Sequence, residues 1–361
     1  MSRYYDKDKL KEALELEQIY DLLELWGAEP QYKDDSLICK TICHCGNSHK
    51  LYYYDSTHLF VCYTNCGTFD IFDLAIKVKK NQEDEEWELY DAMRFIAEYF
   101  GFEGEEQEEK GEELADWSVF RRHKRGEVKL PTKVVLPEYN PIILTRFAYP
   151  RISSWEHEGI KTEISRQNMI GYYPSGEQIT IPHFDVDGRL IGIRGRMLDE
   201  ERADRYGKYR PLLIGNTLYN HPLSMNLYNL NHSQENIAST KTAIVFESEK
   251  SCLMYQSYYG HANDISVAVC GSSVSSYHMH LLKSLGTREV ILAFDRQFQE
   301  IGDKEFQQLK SKLIHLNKKY GYTVRITAIF DKNMITSYKA SPIDEGREKF
   351  EKLLQERIIP Q

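Results

Sequence analysis

Residues 242–260 read TAIVFESEKSCLMYQSYYG, an apolar strand pattern followed by a helix pattern that ends at a glycine. The same alternation continues with the strand-like runs SVAVCG (266–271), REVILAFD (288–295) and YTVRITAIFD (322–331). Helix-like segments at 275–286 and 303–321 separate these runs. Strands that alternate with helices predict a parallel sheet with helices on its faces. We therefore expect an α/β domain with a mainly parallel four-stranded sheet.

Three of these four apolar runs end in a carboxylate. Glu247, Asp295 and Asp331 close the first, third and fourth runs, and Gly271 closes the second. Ligands of parallel sheets bind beyond the carboxyl ends of the strands, and carboxylates there suit Mg²⁺ or Mn²⁺. The pattern predicts phosphoryl or nucleotidyl transfer assisted by two metal ions. The alternative is that these acids cap helix N-termini at the surface.

The cysteines are concentrated near the N-terminus. Five of the seven fall within 28 residues, at positions 39, 43, 45, 62 and 66. The first residues are charged and lack a secretory signal, so we expect a cytoplasmic protein and metal-binding thiols rather than disulfides. Cys43, Cys62 and Cys66 are the predicted zinc ligands. The fourth ligand stays open, with Cys45 the first choice, then His44, then Cys39; the alternative is a set of buried free cysteines.

The cysteines flank a predicted hairpin in KLYYYD and HLFVCYT, which turns at Ser56 and Thr57. Six aromatic side chains lie in and beside it: Tyr52, Tyr53, Tyr54, Phe60, Tyr63 and Phe69. They could stack on single-stranded bases, and we expect about half of them to form the core instead. Apolar residues at helical spacing predict helices at 10–27, 71–80 and 87–101.

Charge is distributed unevenly along the chain. The net charge is −9, but residues 83–116 carry 15 acidic and two basic side chains, a net −13, so the remainder sums to +4. Residues 101–114 have the composition of a solvated linker, and the basic segment 121–133 follows. Net charge alone would argue against nucleic acid as a partner. Its distribution permits one.

Basic residues cluster again around a second predicted hairpin at 179–198, which turns at Asp187-Gly188. Seven fall within 22 residues: Arg189, Arg194, Arg196, Arg202, Arg205, Lys208 and Arg210. They suit contacts with phosphates. The alternative is a solvated arginine face, because acidic residues lie in the same stretch.

The N-terminal pattern resembles the CHC-type zinc-binding domain of bacterial and phage DNA primases. It shows a helix, a Cys/His knuckle, an aromatic hairpin, a second cysteine pair with glycine, and a helix rich in phenylalanine. It departs from that family at Cys43-His44-Cys45, where the ligands are contiguous. The later strands resemble the TOPRIM domain of primases and topoisomerases, and LYNL (227–230) resembles the segment that precedes it.

The resemblance implies roles for individual residues. Glu247 matches the TOPRIM glutamate that acts as acid, base or metal ligand, and Asp295 matches the first aspartate of its Asp-x-Asp motif. Gln297 stands in place of the second aspartate and would bind metal through its amide oxygen, and Asp303, Asp331 or Asp344 could compensate. Template and nucleotide contacts would come from Arg194, Arg196, Lys208, Tyr209 and Lys250.

Together these patterns predict an α+β multidomain protein. We expect a zinc-ribbon domain with helices at 1–100, a linker at 101–133, a basic subdomain at 134–240, a TOPRIM subdomain at 241–331 and a helical segment at 332–361. The resemblance implies a compact phage or mobile-element DNA primase that uses zinc and Mg²⁺ or Mn²⁺, single-stranded DNA, ribonucleoside triphosphates and a replicative helicase, without membrane contact. The alternatives are a TOPRIM nuclease and a primase-like protein that binds single-stranded DNA without catalysis.

Overall fold

The computed structural model describes residues 3–33, 36–83, 85–102, 105–106, 135–199, 203, 208–271 and 273–361. The chain forms two compact units, Met1–Leu136 and Pro137–Gln361. Most of the predicted linker at 101–133, and the predicted contacts Arg202 and Arg205, lie outside the described residues. Within the described ranges, none of the helices is long and apolar enough to cross a membrane.

The first unit contains an antiparallel sheet in which each strand pairs with the next one along the chain. A short pair, β1 (Arg3–Tyr4) with β7 (Glu105–Glu106), lies apart from it. The sheet consists of β2 (Gln31–Lys33), β3 (Ser36–Cys39), β4 (Leu51–Tyr54), β5 (Leu59–Cys62) and β6 (Gly67–Phe69). The predicted hairpin is β4 and β5, with residues 55–58 between them.

The helices of this unit are α1 (Lys7–Ala13), α2 (Leu16–Leu25), α3 (Ile71–Glu83) and α4 (Leu89–Phe100), with a 3₁₀ turn at Ile42–His44. The prediction of one helix over 10–27 was wrong. Leu14 is extended with ψ 123°, and the Glu15 N–H is accepted by the Gln18 side chain at 2.9 Å, which begins a new helix. Apolar residues continue across this break, so their spacing gave no sign of it.

The second unit begins with an antiparallel sheet. Its strands lie in chain order: β8 (Gly171–Tyr173), β9 (Gln178–Phe184), β10 (Leu190–Met197), β11 (Tyr209–Ile214) and β12 (Thr217–Tyr219). The helices α5 (Ser153–His157) and α6 (Thr162–Gln167) precede it, with 3₁₀ turns at Pro141–Arg146 and Pro174–Gly176. The predicted second hairpin is confirmed as β9 and β10. The Asp185 carboxylate accepts the backbone N–H groups of Asp187 and Arg189 at its turn.

A four-stranded sheet follows, and all of its strands are parallel. These are β13 (Thr242–Phe246), β14 (Ser266–Ala268), β15 (Glu289–Ala293) and β16 (Arg325–Ala328), in the order β14-β13-β15-β16. The helices are α7 (Leu230–Thr240), α8 (Glu249–Tyr259), α9 (Ser276–Ser284), α10 (Lys304–Tyr320) and α11 (Arg347–Gln355), with 3₁₀ turns at Leu223–Met225 and His261–Asn263. The predicted fold class is confirmed.

Successive residues of the central strands face opposite sides of the sheet and pack in two separate cores. Ile244 and Phe246 pack in one cluster, which also contains Ile179 and Ile181 of the antiparallel sheet. Ala243 and Val245 pack in another cluster with residues of α9 and α10. Both faces of the parallel sheet are therefore buried. Its carboxyl edge is where side chains can gather around a ligand.

Candidate functional site

The cysteine-rich region of the first unit forms a group of four potential metal ligands. Cys43, His44, Cys62 and Cys66 each bring one ligand atom within 4.8 Å of the others. His44 Nδ1 lies 3.3 Å from the Sγ atoms of Cys43 and Cys66 and 3.8 Å from that of Cys62. Three thiolates and one imidazole are a common ligand set for structural zinc. This group fits a single tetrahedral ion.

Hydrogen bonds favour the thiolate form of Cys62. Burial opposes ionisation of Cys62, but hydrogen bonds from the Thr64 hydroxyl and from the backbone N–H groups of Asn65 and Cys66 bring its pKa down to about 6. The thiolate is the form that binds metal. Thr64 Oγ1 also lies 3.3 Å from His44 Nε2 and so orients the ring through its second nitrogen.

The structure places His44, and not Cys45, in this group. Cys45 ends the 3₁₀ turn in the left-handed region with φ 57°, and its exposed thiol points to the backbone oxygen of Asn81, 3.8 Å away. Cys39 is buried and donates to the Leu51 carbonyl at 3.5 Å. The first choice for the fourth ligand is therefore corrected, because contiguous residues on a tight turn point in different directions.

We expect His44→Ala to weaken metal binding by at least about tenfold, the loss that even substitutions outside the ligand set can cause. Cys45→Ser should keep the metal. Zinc content of the purified proteins, measured by atomic emission after dialysis against a weak chelator, checks both variants. Loss of the ion from the Cys45→Ser protein would contradict this ligand assignment.

In the second unit, Glu247 and Asp295 lie together at the carboxyl edge of the parallel sheet. Phe246 of β13 pairs with Ala293 of β15, so the residues that follow these strands emerge side by side. Gln297 Nε2 lies 3.5 Å from Glu247 Oε2, and Lys312 Nζ of α10 lies 3.5 Å from Glu247 Oε1. Sequence reasoning expected the first three of these residues to meet. It did not expect Lys312.

Burial opposes ionisation of both carboxylates. Burial, together with the charges of Glu247 and Asp344, raises the pKa of Asp295 to about 8. Burial also raises the pKa of Glu247, against the charge of Lys312. Oδ1 of Asp295 and Oδ1 of Asp344 are buried and accept no hydrogen bond from any residue that the structure describes. Crowded carboxylates, among which Asp295 keeps a buried oxygen without a hydrogen-bond donor, fit a divalent cation, which would relieve their repulsion.

Asp331 is used differently from the prediction. Its carboxylate accepts hydrogen bonds from the backbone N–H groups of Ile335 and Thr336 and from the Thr336 hydroxyl, at 2.8–3.0 Å. Asp331 thus stabilises the loop after β16, and Asp344 takes its place as the third carboxylate that acts on Asp295. Asp303 caps α10 and accepts the Phe306 N–H. A strand-end position alone did not distinguish these roles.

A basic cluster adjoins the acidic edge. Lys250 forms ion pairs with Glu158 and, at 3.7 Å, with Asp344 Oδ1. The pKa of Lys208 is lowered by partial burial and by the charges of Arg196 and Lys250. The Arg196 guanidinium lies 5.4 Å from the centre of the Trp155 ring and 6.0 Å from that of Tyr209, the residue opposite it on β11. A lysine whose pKa is lowered by two neighbouring cations marks a cluster that suits an anionic ligand.

Arg194 does not belong to this cluster, and its prediction as a phosphate contact is corrected. Its side chain is 9% exposed, and Nη1 donates to Glu249 Oε1 at 3.1 Å and to the Cys270 carbonyl at 2.9 Å. Burial would raise the pKa of Glu249, but Arg194 and His183 bring it down to about 2. Residues two apart in a strand face the same side of its sheet, so Arg194 and Arg196 share a face of β10, but Arg194 is buried and Arg196 is only partly buried.

Glu249 and Lys312 are functional candidates that sequence reasoning missed. Lys312 carried a signal: in α10 the buried positions are Leu309, Leu313, Leu316 and Tyr320, and a lysine directly beside Leu313 lies at the border of this apolar stripe. The sequence held no such signal for Glu249, because an acidic residue in the first turn of a helix is ordinarily a favourable surface residue. The tertiary contacts with Arg194 and His183 explain its burial.

No family model matches the chain. Over 98% of its length it is 37% identical to the SPbeta prophage-derived uncharacterized protein YorJ of Bacillus subtilis, covering 97% of that protein. The chain belongs to the YorJ family. It also resembles a DNA primase of Myxococcus xanthus, with 28% identity over 134 residues, which span 37% of this chain and 20% of that protein. The resemblance to primases drawn from the motifs is confirmed by this relative.

Two solved structures were also similar to this YorJ-family chain. The zinc-binding and RNA polymerase domains of the Aquifex aeolicus primase match 98% of this chain and 86% of their own length, with 18% identity and a TM-score of 0.46. A DnaG primase catalytic domain bound to single-stranded DNA matches 60% of this chain and 76% of its own length, with 20% identity and a TM-score of 0.44.

Proposed function

We propose that this protein is a DNA primase, a nucleotidyltransferase that makes short RNA primers on single-stranded DNA. The observation that carries the proposal is the carboxylate group Glu247, Asp295 and Asp344 beside the cations of Arg196, Lys208 and Lys250. One group suits divalent cations and the other suits phosphates. The relationship to the Myxococcus xanthus DNA primase supports this reading, and the prophage origin of YorJ fits a role in phage replication.

The residues of the acidic edge would hold Mg²⁺ or Mn²⁺. When bound, the cation would favour ionisation of the attacking hydroxyl and neutralise charge that develops on the transferred phosphate. Glu247 and Asp295 provide the anionic ligands, and their position beyond the strand ends keeps them on a rigid sheet. Gln297 donates toward Glu247 and adds no charge.

The basic cluster would bind the triphosphate and the template backbone. Arg196 is held in place by the rings of Trp155 and Tyr209, and its buried Nε donates to no residue that the structure describes. Lys250 contacts Asp344 and acts on Asp295, so a phosphate held by these cations lies beside the carboxylates. This proximity is what nucleotidyl transfer requires.

In the first unit, the sheet presents a tyrosine face that suits single-stranded bases. Tyr53 and Phe60 are buried on one side of the hairpin, and Tyr52 and Tyr54 point to the other side. The ring centres of Tyr52 and Tyr63 are 5.1 Å apart, Tyr54 Oη lies 3.0 Å from Tyr63 Oη, and Lys33 Nζ lies 5.6 Å from the centre of the Tyr52 ring. Aromatic rings beside a cation bind bases by stacking.

We expect Tyr63→Ala to weaken binding of single-stranded DNA by roughly tenfold, since one stacked base contributes about 1–3 kcal/mol. Tyr63 is 60% exposed, so the fold should tolerate the change. Fluorescence anisotropy with a labelled oligonucleotide measures the affinity. Tyr322→Ala, at an 81% exposed tyrosine of the second unit, is the matched control. Equal affinities for both variants and the unmodified protein would remove the tyrosine face from template binding.

A single assay tests the proposed function. The protein is mixed with a single-stranded template, labelled ribonucleoside triphosphates and Mg²⁺ or Mn²⁺, and the products are separated by size. Short ribonucleotide products support a primase. Shortened template would indicate a nuclease, and binding with neither product would indicate a non-catalytic DNA-binding protein. A replicative helicase as partner stays a prediction.

A further inference from the structure

A buried ion pair joins the two sheets of the second unit. Oε1 of Glu249, the first residue of α8, lies 3.1 Å from Nη1 of Arg194 on β10 and 3.2 Å from Nε2 of His183 on β9. The side chains of these three residues are at most 9% exposed. Strands β9 and β10 belong to the antiparallel sheet, whereas α8 follows β13 of the parallel sheet. The pair therefore attaches the start of α8 to the antiparallel sheet.

The Arg194 guanidinium has two further acceptors, and both are backbone carbonyls. Nη1 also donates to the Cys270 carbonyl at 2.9 Å, and Nη2 donates to the Tyr209 carbonyl at 3.5 Å. Cys270 lies two residues beyond β14, and Tyr209 is the first residue of β11. Because the N–H donors of a guanidinium have a fixed planar arrangement, this one side chain sets the separations among the start of α8, the start of β11 and the segment after β14.

The backbone of Cys270 is in a conformation that needs such a contact. Its φ is 56°, in the left-handed region that residues other than glycine adopt infrequently. Conformations of this kind persist where neighbouring groups fix them, and Arg194 donates to the Cys270 carbonyl. A side chain of the antiparallel sheet thus helps to hold the chain at the carboxyl edge of the parallel sheet.

The segments that Arg194 connects carry residues of the proposed active site. Glu247 lies two residues before Glu249, and Lys250 lies directly after it. Glu247 follows a strand of the parallel sheet, whereas the cations Arg196 and Lys208 lie on β10 and directly before β11 of the antiparallel sheet. The distance between this carboxylate and these two cations therefore depends on what joins the two sheets.

We propose that Arg194 and Glu249 are positioning residues for nucleotidyl transfer: their pair sets the distance between the basic cluster and the carboxylates without touching the substrate. The inference rests on the proposed function and extends it to a buried pair outside the substrate-binding surface. Reacting groups displaced by about 1 Å react about 10²-fold more slowly. Loss of the pair should therefore slow synthesis even in a folded protein whose phosphate-binding cations are intact.

The double variant Arg194→Met/Glu249→Met separates positioning from stability. Both charges are removed, so neither is left buried without its partner, and the protein should stay folded. We expect kcat for primer synthesis to fall by about 10²-fold. KM for ribonucleoside triphosphates should not change, because Arg196 and Lys208 are still present. Synthesis is measured over a range of nucleotide concentrations, at a temperature at which circular dichroism shows that the variant is folded.

A merely structural pair would give a different result, because synthesis would return together with stability. A folded double variant with the kcat of the unmodified protein would overturn the proposal, and so would a raised KM at unchanged kcat, which indicates a direct nucleotide contact. Arg357→Met/Glu289→Met is the matched control. It removes an ion pair of 3.1 Å at the start of β15, at the end of that strand away from Asp295, so kcat should stay as in the unmodified protein.

Arg194→Lys keeps the proposal testable if the double variant does not fold. Lysine retains the positive charge beside Glu249 but lacks the planar fork that reaches the Cys270 and Tyr209 carbonyls at the same time. Its kcat should therefore also fall, by about tenfold or more. Full activity of Arg194→Lys would mean that charge pairing suffices, and it would overturn the positioning role.

Hydrogen exchange distinguishes failure of this inference from failure of the proposed function. In the folded double variant, the backbone amides at the start of α8, at the start of β11 and after β14 should exchange faster than in the unmodified protein, as measured by mass spectrometry. Equal exchange would overturn the inference. Faster exchange in the variant, with no primers made by the unmodified protein, contradicts only the primase assignment. Primers made at the same rate with and without the pair contradict only the positioning role.

Discussion

Glu247→Gln should reduce primer synthesis by about 10³-fold or more while single-stranded DNA binding stays nearly unchanged. The substitution keeps the size of the side chain and removes the charge that pairs with Lys312 and adjoins Asp295. Stabilisation of the transferred phosphate by an ordered set of charges is worth several kcal/mol, and each 1.36 kcal/mol corresponds to about tenfold in rate. Primer extension at saturating nucleotide, with anisotropy for DNA binding, measures both properties.

Glu305→Gln is the matched control for this experiment. Glu305 is an exposed acid in the first turn of α10, so its loss removes the same charge from the same unit without touching the acidic edge. Synthesis should then proceed as in the unmodified protein. Primer synthesis retained by Glu247→Gln would exclude Glu247 from the chemistry.

Arg194→Met should lower the free energy of unfolding by about 3–5 kcal/mol. Glu249 is 1% exposed, and removal of its partner leaves a carboxylate buried with only the neighbouring His183 at 3.2 Å. An unpaired buried charge has this cost, whereas replacing both partners by apolar residues is often nearly neutral. Urea denaturation measures the change. The double variant Arg194→Met/Glu249→Met should regain most of the lost stability.

The same variant distinguishes a buried ion pair from a phosphate contact. If Arg194 bound template phosphates, Arg194→Met would weaken DNA binding and reduce its dependence on salt while leaving stability intact. Arg189→Met is the control, because Arg189 lies on the same hairpin but is half-exposed beside Asp185 and Asp187. Its loss should affect unfolding far less. A stable Arg194→Met protein with weakened DNA binding would restore the sequence-based assignment.

The sequence predicted the parallel sheet well because its signals are local. Apolar runs of strand length, interrupted by helix patterns, identify the elements, and the rule for parallel sheets places Glu247 and Asp295 at one edge. The parallel pairing of β13 and β15, the strands that these two residues follow, agrees. The hairpins could be predicted for the same reason, since the turn of each hairpin and the alternation of its apolar and polar residues lie within about twenty residues.

The failures concern the directions of side chains and contacts between distant segments. Cys45 and His44 are neighbours in sequence, but the left-handed conformation of Cys45 turns its thiol away from the metal group. Arg194 looks like any other residue of a basic stretch until Glu249, 55 residues later, is brought against it. The loop after β16 engages the Asp331 carboxylate in hydrogen bonds, so Asp344 and not Asp331 acts on Asp295. No local pattern encodes these choices.

The ligand group of the first unit has a consequence for chain entropy. Its members come from the 3₁₀ turn, the end of β5 and the loop before β6, and they span 18 residues from His44 to Cys62 and 22 from His44 to Cys66. An ion that joins them acts as a cross-link that closes loops of this length. A covalent cross-link over a similar loop stabilises a fold by about 3 kcal/mol. An ion bound by this group would therefore stabilise the cysteine-rich region in the way that a disulfide stabilises a small secreted domain.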